Sequence, residues 1–149
     1  MKSIGHYIRE DAIVELQGSE KRLAFDQLIS KIKETGSLPD VNAFYDKILE
    51  REQQSSTGIG LGVAIPHARL DDLDEIFIAV GRSNSGLDFA TPDGMPVHLI
   101  FMIAVNSNHS EYLQIIARIS WLVRNDEFRN QLYFCPTISD LYKLLKEQA

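Results

Sequence analysis

The sequence predicts an α/β fold: a three-layer α/β/α sandwich in which a mixed β-sheet lies between two layers of helices. The first observation is the order of the elements, which runs strand, two helices, several strands and then helices. The second is the segment 97–105, which is apolar at almost every position, as in a central strand that helices cover on both faces. The third is the length of 149 residues, without internal repeats or linker-like stretches, which predicts a single domain, 1–149.

The first third of the chain predicts one strand and two helices. Residues 12–16 are short, alternating and rich in strand-forming side chains, and they predict the first strand. Ser19 is a candidate N-cap for the helix that follows, and Gly36 is a candidate stop for it. Asp40 is a candidate cap for the second helix, which we expect to end near residues 51–52.

The middle of the chain predicts short strands and tight turns. Alternate glycines between residues 58 and 62 argue against a regular helix. Residues 63–65 predict a short strand that Pro66 ends, because proline has no amide N–H to donate. Residues 76–80 predict another strand, and the Pro-Asp-Gly sequence at 92–94 predicts a turn before the central strand.

The last third predicts three helices. An apolar stripe from Tyr112 to Val123 indicates the first of them. Asp126 is a candidate cap for a shorter helix that extends to about Tyr133, and Ser139 is a candidate cap for the last helix.

Composition excludes several classes of function. The net charge of −6 argues against general nucleic-acid binding, which needs a basic face. No apolar run approaches the length of a bilayer span, so no membrane insertion is expected. Cys135 is the one cysteine, which excludes an internal disulfide, and its most economical role is that of a small apolar side chain. The N-terminus lacks the apolar core of a secretory signal, so we expect a cytoplasmic protein.

Among the four histidines, His67 has the setting most typical of a site. It follows an apolar strand and a proline, and a loop rich in glycine and hydroxyl groups precedes it, with N–H groups suited to meeting an anion. A buried structural histidine explains the same pattern equally well, and a tight loop explains the glycines. No histidine pair has the spacing of a helical zinc site, so no metal is expected. His98 lies inside the central strand, where a hydrogen-bonded core role is favoured.

One family has a closely similar segment. Residues 51–69 contain Arg-Glu, then Ser-Thr-Gly-Ile-Gly, then Ala-Ile-Pro-His. This segment resembles the phosphorylation-site signature of the fructose/mannitol-type (type 2) IIA domains of the bacterial phosphoenolpyruvate-dependent phosphotransferase system, a family that includes the nitrogen-regulatory IIA proteins. The resemblance covers nearly the whole chain. It implies the same three-layer sandwich, a phosphotransferase activity and no bound cofactor.

The resemblance also implies roles for particular residues. His67 would accept a phosphoryl group from the phosphocarrier HPr or its nitrogen-branch relative, and would pass it to a IIB component or display it to regulatory target proteins. Arg51 would stabilise the phosphoryl oxygens, although a cation at this helix end is also explained by the helix dipole. Further candidates for contact with the phosphoryl group or a partner are Thr57, Gly58, Gly60, Gly62 and Arg69.

The sequence departs from the family pattern at one position. Many members carry a second histidine near the start of the helix after the central strand, and here Tyr112 occupies that position. His109 lies three residues earlier. Either His109 reaches the site, or Tyr112 contributes a hydroxyl donor, or the supporting role is absent and Tyr112 packs in the core.

Three functions remain open from the sequence. A complete IIA-like domain without an attached IIB, IIC or HPr-like segment favours a standalone regulatory protein of the nitrogen-related branch. The alternatives are a sugar-specific, fructose/mannitol-type IIA that relays phosphate to a separate IIB, and a protein-binding module that keeps the fold without phosphorylation. The resemblance also allows self-association into a homo-oligomer.

Overall fold

A computed structural model describes residues 3–148 of the chain. Six strands and five helices follow a short 3-10 turn. In chain order, the elements are the 3-10 turn Ile4–Tyr7, β1 (Ile8–Glu15), α1 (Lys21–Thr35), α2 (Val41–Gln54), β2 (Gly58–Gly60), β3 (Val63–Ala64), β4 (His67–Arg69), β5 (Phe77–Leu87), β6 (Val97–Val105), α3 (His109–Val123), α4 (Asp126–Phe134) and α5 (Ile138–Lys146).

The strands form one mixed sheet in the order β1-β5-β6-β3-β2, and β4 also pairs with β6. β1 runs parallel to β5, and both β3 and β4 run parallel to β6. β5 and β6 are antiparallel, as are β2 and β3. The central position predicted for residues 97–105 is confirmed, because β6 has a partner on both sides.

Two apolar cores lie on the two faces of the sheet. Alternate residues of β6 divide between them: Ile100 and Met102 pack with the helices α1 and α2, whereas Phe101 and Ile103 pack with α3, α4 and α5. The predicted three-layer α/β/α sandwich is therefore confirmed. None of the helices described between residues 3 and 148 has the length and apolar character needed to cross a membrane.

The strand expected to end at Pro66 resumes immediately after it. Val63 pairs with Leu99 in β3 and His67 pairs with Ile103 in β4, so both strands keep one register along β6. Pro66 interrupts the ladder because it has no N–H, but its carbonyl still accepts a bond from the Ile103 amide at 2.9 Å. His67 is thus held inside the sheet rather than in a loop behind it.

Three of the expected helix caps were assigned to the wrong residue. Glu20, not Ser19, occupies the N-cap position of α1, and no side chain there bonds the backbone. Asn125 caps α4 instead of Asp126, which is the first helical residue. Thr137 caps α5 instead of Ser139, by accepting the amide of Asp140. In each case the predicted and the observed N-cap are polar residues no more than two positions apart. The sequence pattern alone does not show which of the two is the cap.

The predicted caps at Gly36 and Asp40 are confirmed. Gly36 ends α1 with a left-handed φ of 66°, a conformation that glycine adopts without steric cost. The Asp40 side chain accepts the amide of Ala43 at the start of α2. α2 continues to Gln54, slightly beyond the expected end at residues 51–52.

Two strands are longer than the sequence suggested. β1 begins at Ile8, which is buried and pairs with Ile78 of β5, rather than at Ala12. The pattern missed this start because residues 9–11 are three consecutive exposed polar side chains, without the alternation that predicts a strand. β5 extends to Leu87 through Arg82, whose buried side chain donates to Glu15 in the neighbouring strand. A charged side chain normally marks a surface position, and the pairing partner lies 67 residues away in sequence.

Candidate functional site

A surface cleft of about 560 Å³ opens where β4 and β6 end, between the last turn of α2 and the start of α3. Because β4 and β6 are parallel, their carboxyl ends meet at this edge of the sheet, where α/β proteins commonly bind ligands. The cleft is lined by Lys47, Glu50, Arg51, Gln54, His67, Ala68, Arg69, Val105, Asn106, Ser107, His109 and Tyr112.

His67 lies half-buried in this cleft, and both of its ring nitrogens have partners. Nδ1 is 2.8 Å from the carbonyl oxygen of Ile65. A carbonyl only accepts, so Nδ1 carries the proton and donates it. Nε2 is 3.0 Å from the hydroxyl of Tyr112, which donates to its lone pair. The neutral imidazole therefore has its acceptor lone pair on Nε2, where it accepts the Tyr112 hydrogen bond.

The surroundings of His67 favour this neutral form. Burial lowers the pKa of His67 below its usual 6.5, and the positive charge of Arg51 lowers it further. The Ile65 hydrogen bond and the negative charge of Glu52 act in the opposite direction without reversing the shift. A neutral imidazole is the nucleophilic form, so the site is prepared for attack by Nε2 at neutral pH.

Arg51 reaches the cleft from the last turn of α2. Its Nη1 donates to the carbonyl oxygen of Ser55 at 2.9 Å, which satisfies a backbone acceptor just beyond the helix end. The same side chain lies close enough to His67 to depress its pKa. Arg51 thus fits both interpretations of the sequence, since it caps a helix terminus and also brings a positive charge to the histidine.

Tyr112 and His109 form an aromatic pair at the start of α3. The ring centroids of Tyr112 and His67 are 5.4 Å apart, and those of Tyr112 and His109 are 5.6 Å apart. Tyr112 therefore contacts both histidines, and its hydroxyl makes the contact with Nε2 of His67. Of the alternatives that the sequence left open, the geometry supports a hydroxyl donor from Tyr112, with His109 packing behind it.

Thr57 and the glycine loop lie elsewhere, and none of them lines the cleft. Thr57 is buried, and both its amide and its hydroxyl donate to the Glu52 carboxylate, at 3.0 and 2.7 Å. Gly60 and Gly62 have φ values of 89° and 76°, and a Cβ on Gly62 would lie 2.5 Å from the Tyr133 hydroxyl. The backbone therefore agrees with the tight-turn explanation of these glycines. Their expected contacts with a phosphoryl group remain a prediction.

Glu52 is a residue that the sequence reasoning did not assign to the site. It is about 6% exposed and forms an ion pair with Lys21. Thr57 connects it to Ile65: the Thr57 carbonyl accepts the Ile65 amide at 3.0 Å, and the Ile65 carbonyl accepts the Nδ1 proton of His67. The adjacent Arg-Glu pair in the sequence was the available signal, but the carboxylate's partners become evident only in the fold.

Lys47 and Arg69 add positive charge to the wall of the cleft. Lys47 donates to the carbonyl oxygen of Arg69 at 2.9 Å, and the Arg69 guanidinium pairs with Asp71 at 2.8 Å. Lys47 was also absent from the sequence-based candidates. Within residues 3–148, no three histidine, cysteine, aspartate or glutamate side chains are grouped so as to hold a metal ion.

Comparison with known proteins identifies the class. Residues 7–148 match the family described as "Phosphoenolpyruvate-dependent sugar phosphotransferase system, EIIA 2". The chain therefore belongs to this family, whose members are phosphotransferase components. Its fold is that of a type 2 IIA domain, as the sequence segment 51–69 suggested.

Individual relatives carry two kinds of name. The chain is 40% identical over 120 residues to the "PTS system fructose-specific EIIABC component" of Bacillus subtilis; the match covers 80% of the chain and 19% of that relative. It is 32% identical over 138 residues to the "Nitrogen regulatory protein" of Bradyrhizobium diazoefficiens, covering 91% of the chain and 89% of that protein. The chain thus spans about a fifth of the first relative and most of the second.

A solved structure shows the same fold. The crystal structure of the nitrogen regulatory protein IIA-Ntr from Neisseria meningitidis superposes with a TM-score of 0.83 at 27% sequence identity. The superposition covers 95% of this chain and 98% of that one.

Proposed function

We propose that the protein is a histidine phosphocarrier in which Nε2 of His67 accepts a phosphoryl group from HPr or a nitrogen-branch HPr-like protein. The observation that supports this most strongly is the pair of bonds on the His67 ring. Ile65 holds the proton on Nδ1, which leaves a lone pair on Nε2 in a cleft lined by cationic side chains.

The proposed reaction is an in-line transfer. Nε2 attacks phosphorus, the bond between phosphorus and the donor nitrogen breaks, and its electron pair returns to the donor. His67 keeps its Nδ1 proton, so the phosphorylated ring is positively charged and its hydrogen bond to Ile65 strengthens. Arg51 is the residue that we propose to stabilise the phosphoryl oxygens, because its charge already acts on the ring. Arg69, Lys47 and His109 line the path that the donor's phosphoryl group would follow.

We propose a regulatory role, in which the phosphorylation state of His67 controls binding to target proteins. Added negative charge and acceptor oxygens at the mouth of the cleft would change which surfaces bind there. The near full-length correspondence with the two nitrogen regulatory proteins supports this role. With a cytoplasmic phosphocarrier as the donor, the proposal places the protein in the cytoplasm.

Relay of phosphate to a IIB component is the alternative, favoured by the identity to the fructose-specific relative. The two roles differ in the fate of the phosphoryl group. Incubation of the phosphorylated protein with a fructose-type IIB domain should leave His67 phosphorylated if the role is regulatory. Rapid transfer of the phosphoryl group to the IIB domain would establish the relay instead.

The phosphocarrier function itself is tested with phosphoenolpyruvate, enzyme I and HPr or the nitrogen-branch HPr-like protein. Wild-type protein should gain one acid-labile phosphoryl group, and His67→Ala should gain none. His6→Ala is the matched control, because His6 pairs with Glu75 outside the cleft and should not affect labelling. An unmodified wild-type protein under a matched donor would contradict the proposal and leave a binding module on the same fold.

A further inference from the structure

The hydroxyl of Tyr112 occupies the lone pair that the proposed reaction needs. It lies 3.0 Å from Nε2 of His67, while Ile65 accepts the Nδ1 proton on the other side of the ring. In the unphosphorylated protein, the imidazole therefore has both hydrogen-bonding positions filled. For Nε2 to attack phosphorus, the Tyr112 hydroxyl must leave this lone pair.

The Tyr112 ring is positioned firmly, so the hydroxyl stays near the reacting atom after it leaves. Tyr112 belongs to the first turn of α3, which the Asn108 side chain caps by accepting the Glu111 amide at 3.1 Å. The rings of His67 and His109 both contact the Tyr112 ring, at interplanar angles of 42° and 52°. A phosphoryl group on Nε2 would place its oxygens within reach of the same hydroxyl.

We infer that the Tyr112 hydroxyl caps Nε2 in the unphosphorylated protein and passes to a phosphoryl oxygen when the N–P bond has formed. This inference rests on the proposed phosphocarrier function. The hydroxyl exchanges a neutral acceptor for one that carries negative charge. Hydrogen bonds to charged acceptors are about twice as strong, so the exchange favours the phosphorylated state. Tyr112 thereby raises the fraction of the protein that is phosphorylated at a given concentration of phosphorylated donor carrier.

The inference explains why a tyrosine suffices where the sequence departs from the family pattern. The phenol has one O–H donor. The same O–H would donate to Nε2 before phosphorylation and to a phosphoryl oxygen after it. His109, the other candidate, is exposed and packs against Tyr112, so its part is to orient the ring. Tyr112 touches the reacting nitrogen directly, whereas His109 is a positioning residue.

The test is a competition between wild-type protein and Tyr112→Phe, which keeps the ring and removes only the hydroxyl. Equal amounts of the two proteins are mixed in one reaction with phosphoenolpyruvate, enzyme I and a catalytic amount of donor carrier. Intact-mass spectrometry distinguishes them, because they differ by one oxygen atom. At equilibrium we expect phosphoryl groups to favour wild type about fivefold. In a parallel tube, Tyr142→Phe should share them evenly with wild type, because Tyr142 lies on α5, away from the cleft.

A second readout separates a hydroxyl contact from ring packing. In unphosphorylated Tyr112→Phe, the ¹⁵N resonance of His67 Nε2 should move toward the value of an acceptor without a hydrogen bond. An even distribution of phosphoryl groups, a distribution that favours the variant, or an unchanged Nε2 resonance would overturn the inference. If neither protein becomes phosphorylated, the proposed function fails, and the inference fails with it.

Discussion

The carbonyl oxygen of Ile65 accepts a 2.8 Å hydrogen bond from Nδ1 of His67, two residues further along the chain. Pro66 lies between the two residues, and its own carbonyl oxygen accepts the Ile103 amide of β6. The Ile65 carbonyl, one residue earlier, points away from β6, because successive carbonyls along a strand alternate in direction. The bond fixes the tautomer of the imidazole and directs the remaining lone pair toward Tyr112. A local feature of the backbone thus selects which nitrogen is available for chemistry.

The first prediction concerns pH. Burial and the charge of Arg51 lower the pKa of His67, so an NMR titration of its ring should give a midpoint below 6.5. The folded state then binds a proton less readily than the unfolded chain. The resulting stabilisation is present above pH 6.5 and is lost as the pH falls through the folded-state value. A midpoint at or above 6.5 would contradict the assignment of a buried, neutral ring.

The second prediction concerns Arg51. Arg51→Ala should slow phosphoryl transfer to His67 by about 100-fold, as expected for removal of one charged donor at a reacting centre. The free energy of unfolding should fall by no more than about 1 kcal/mol, since the side chain also favours the helix C-terminus. Rapid-quench labelling measures the rate and urea titration measures the stability. The control is Arg124→Ala, at an exposed position outside the cleft, and equal rates for the two variants would remove Arg51 from the mechanism.

The third prediction separates scaffold from chemistry in the glycine loop. Gly62→Ala should lower the free energy of unfolding by about 2 kcal/mol, because a Cβ must fit at positive φ and against the Tyr133 hydroxyl. Gly94→Ala has a similar φ of 70° but open space around it, so it should lose only about 1 kcal/mol. Both folded variants should accept phosphate at the wild-type rate. A transfer defect confined to Gly62→Ala would instead support direct phosphoryl contact by this loop.

The fourth prediction concerns the buried guanidinium of Arg82, which is 4% exposed. It donates to Glu15 at 2.7 Å and to the carbonyl oxygens of Leu132 and Cys135, so it joins two strands to the end of α4. Arg82→Met should lower the free energy of unfolding by about 3 kcal/mol, because those carbonyls lose their donor. Arg9→Met removes the exposed ion pair with Asp11 and one exposed hydrogen bond to the Ser37 hydroxyl. It should change the free energy of unfolding by less than about 1 kcal/mol. Comparable losses in urea titrations would refute this account of Arg82.

Local patterns were sufficient for much of the fold. Residues 97–105 form β6 with the predicted bounds. A nearly unbroken apolar run of this length is typical of a strand that is buried on both faces. The turn at residues 92–94 also formed as expected, with the Gly94 amide donating to Thr91 at 3.2 Å. Such features depend on side chains close together in sequence, and the sequence displays them directly.

Contacts between distant residues were beyond the sequence. Tyr112 bonds His67 across 45 residues, and Arg82 bonds Glu15 across 67. The resemblance placed Tyr112 near the histidine, but only the fold shows which ring nitrogen its hydroxyl meets. The burial of Arg82 and Glu52 could not be predicted from the sequence either. A charged side chain is buried when it has a partner, and the fold determines which residues become partners.

The most direct test of the account is to identify the phosphorylated nitrogen. Protein labelled with ¹⁵N at histidine and phosphorylated by its donor carrier shows, by ¹⁵N and ³¹P NMR, which ring nitrogen is bonded to phosphorus. We predict a single phosphohistidine at His67, joined through Nε2, with Nδ1 still protonated and bonded to Ile65. Phosphorus on Nδ1 of His67, or on any other histidine, would contradict the account.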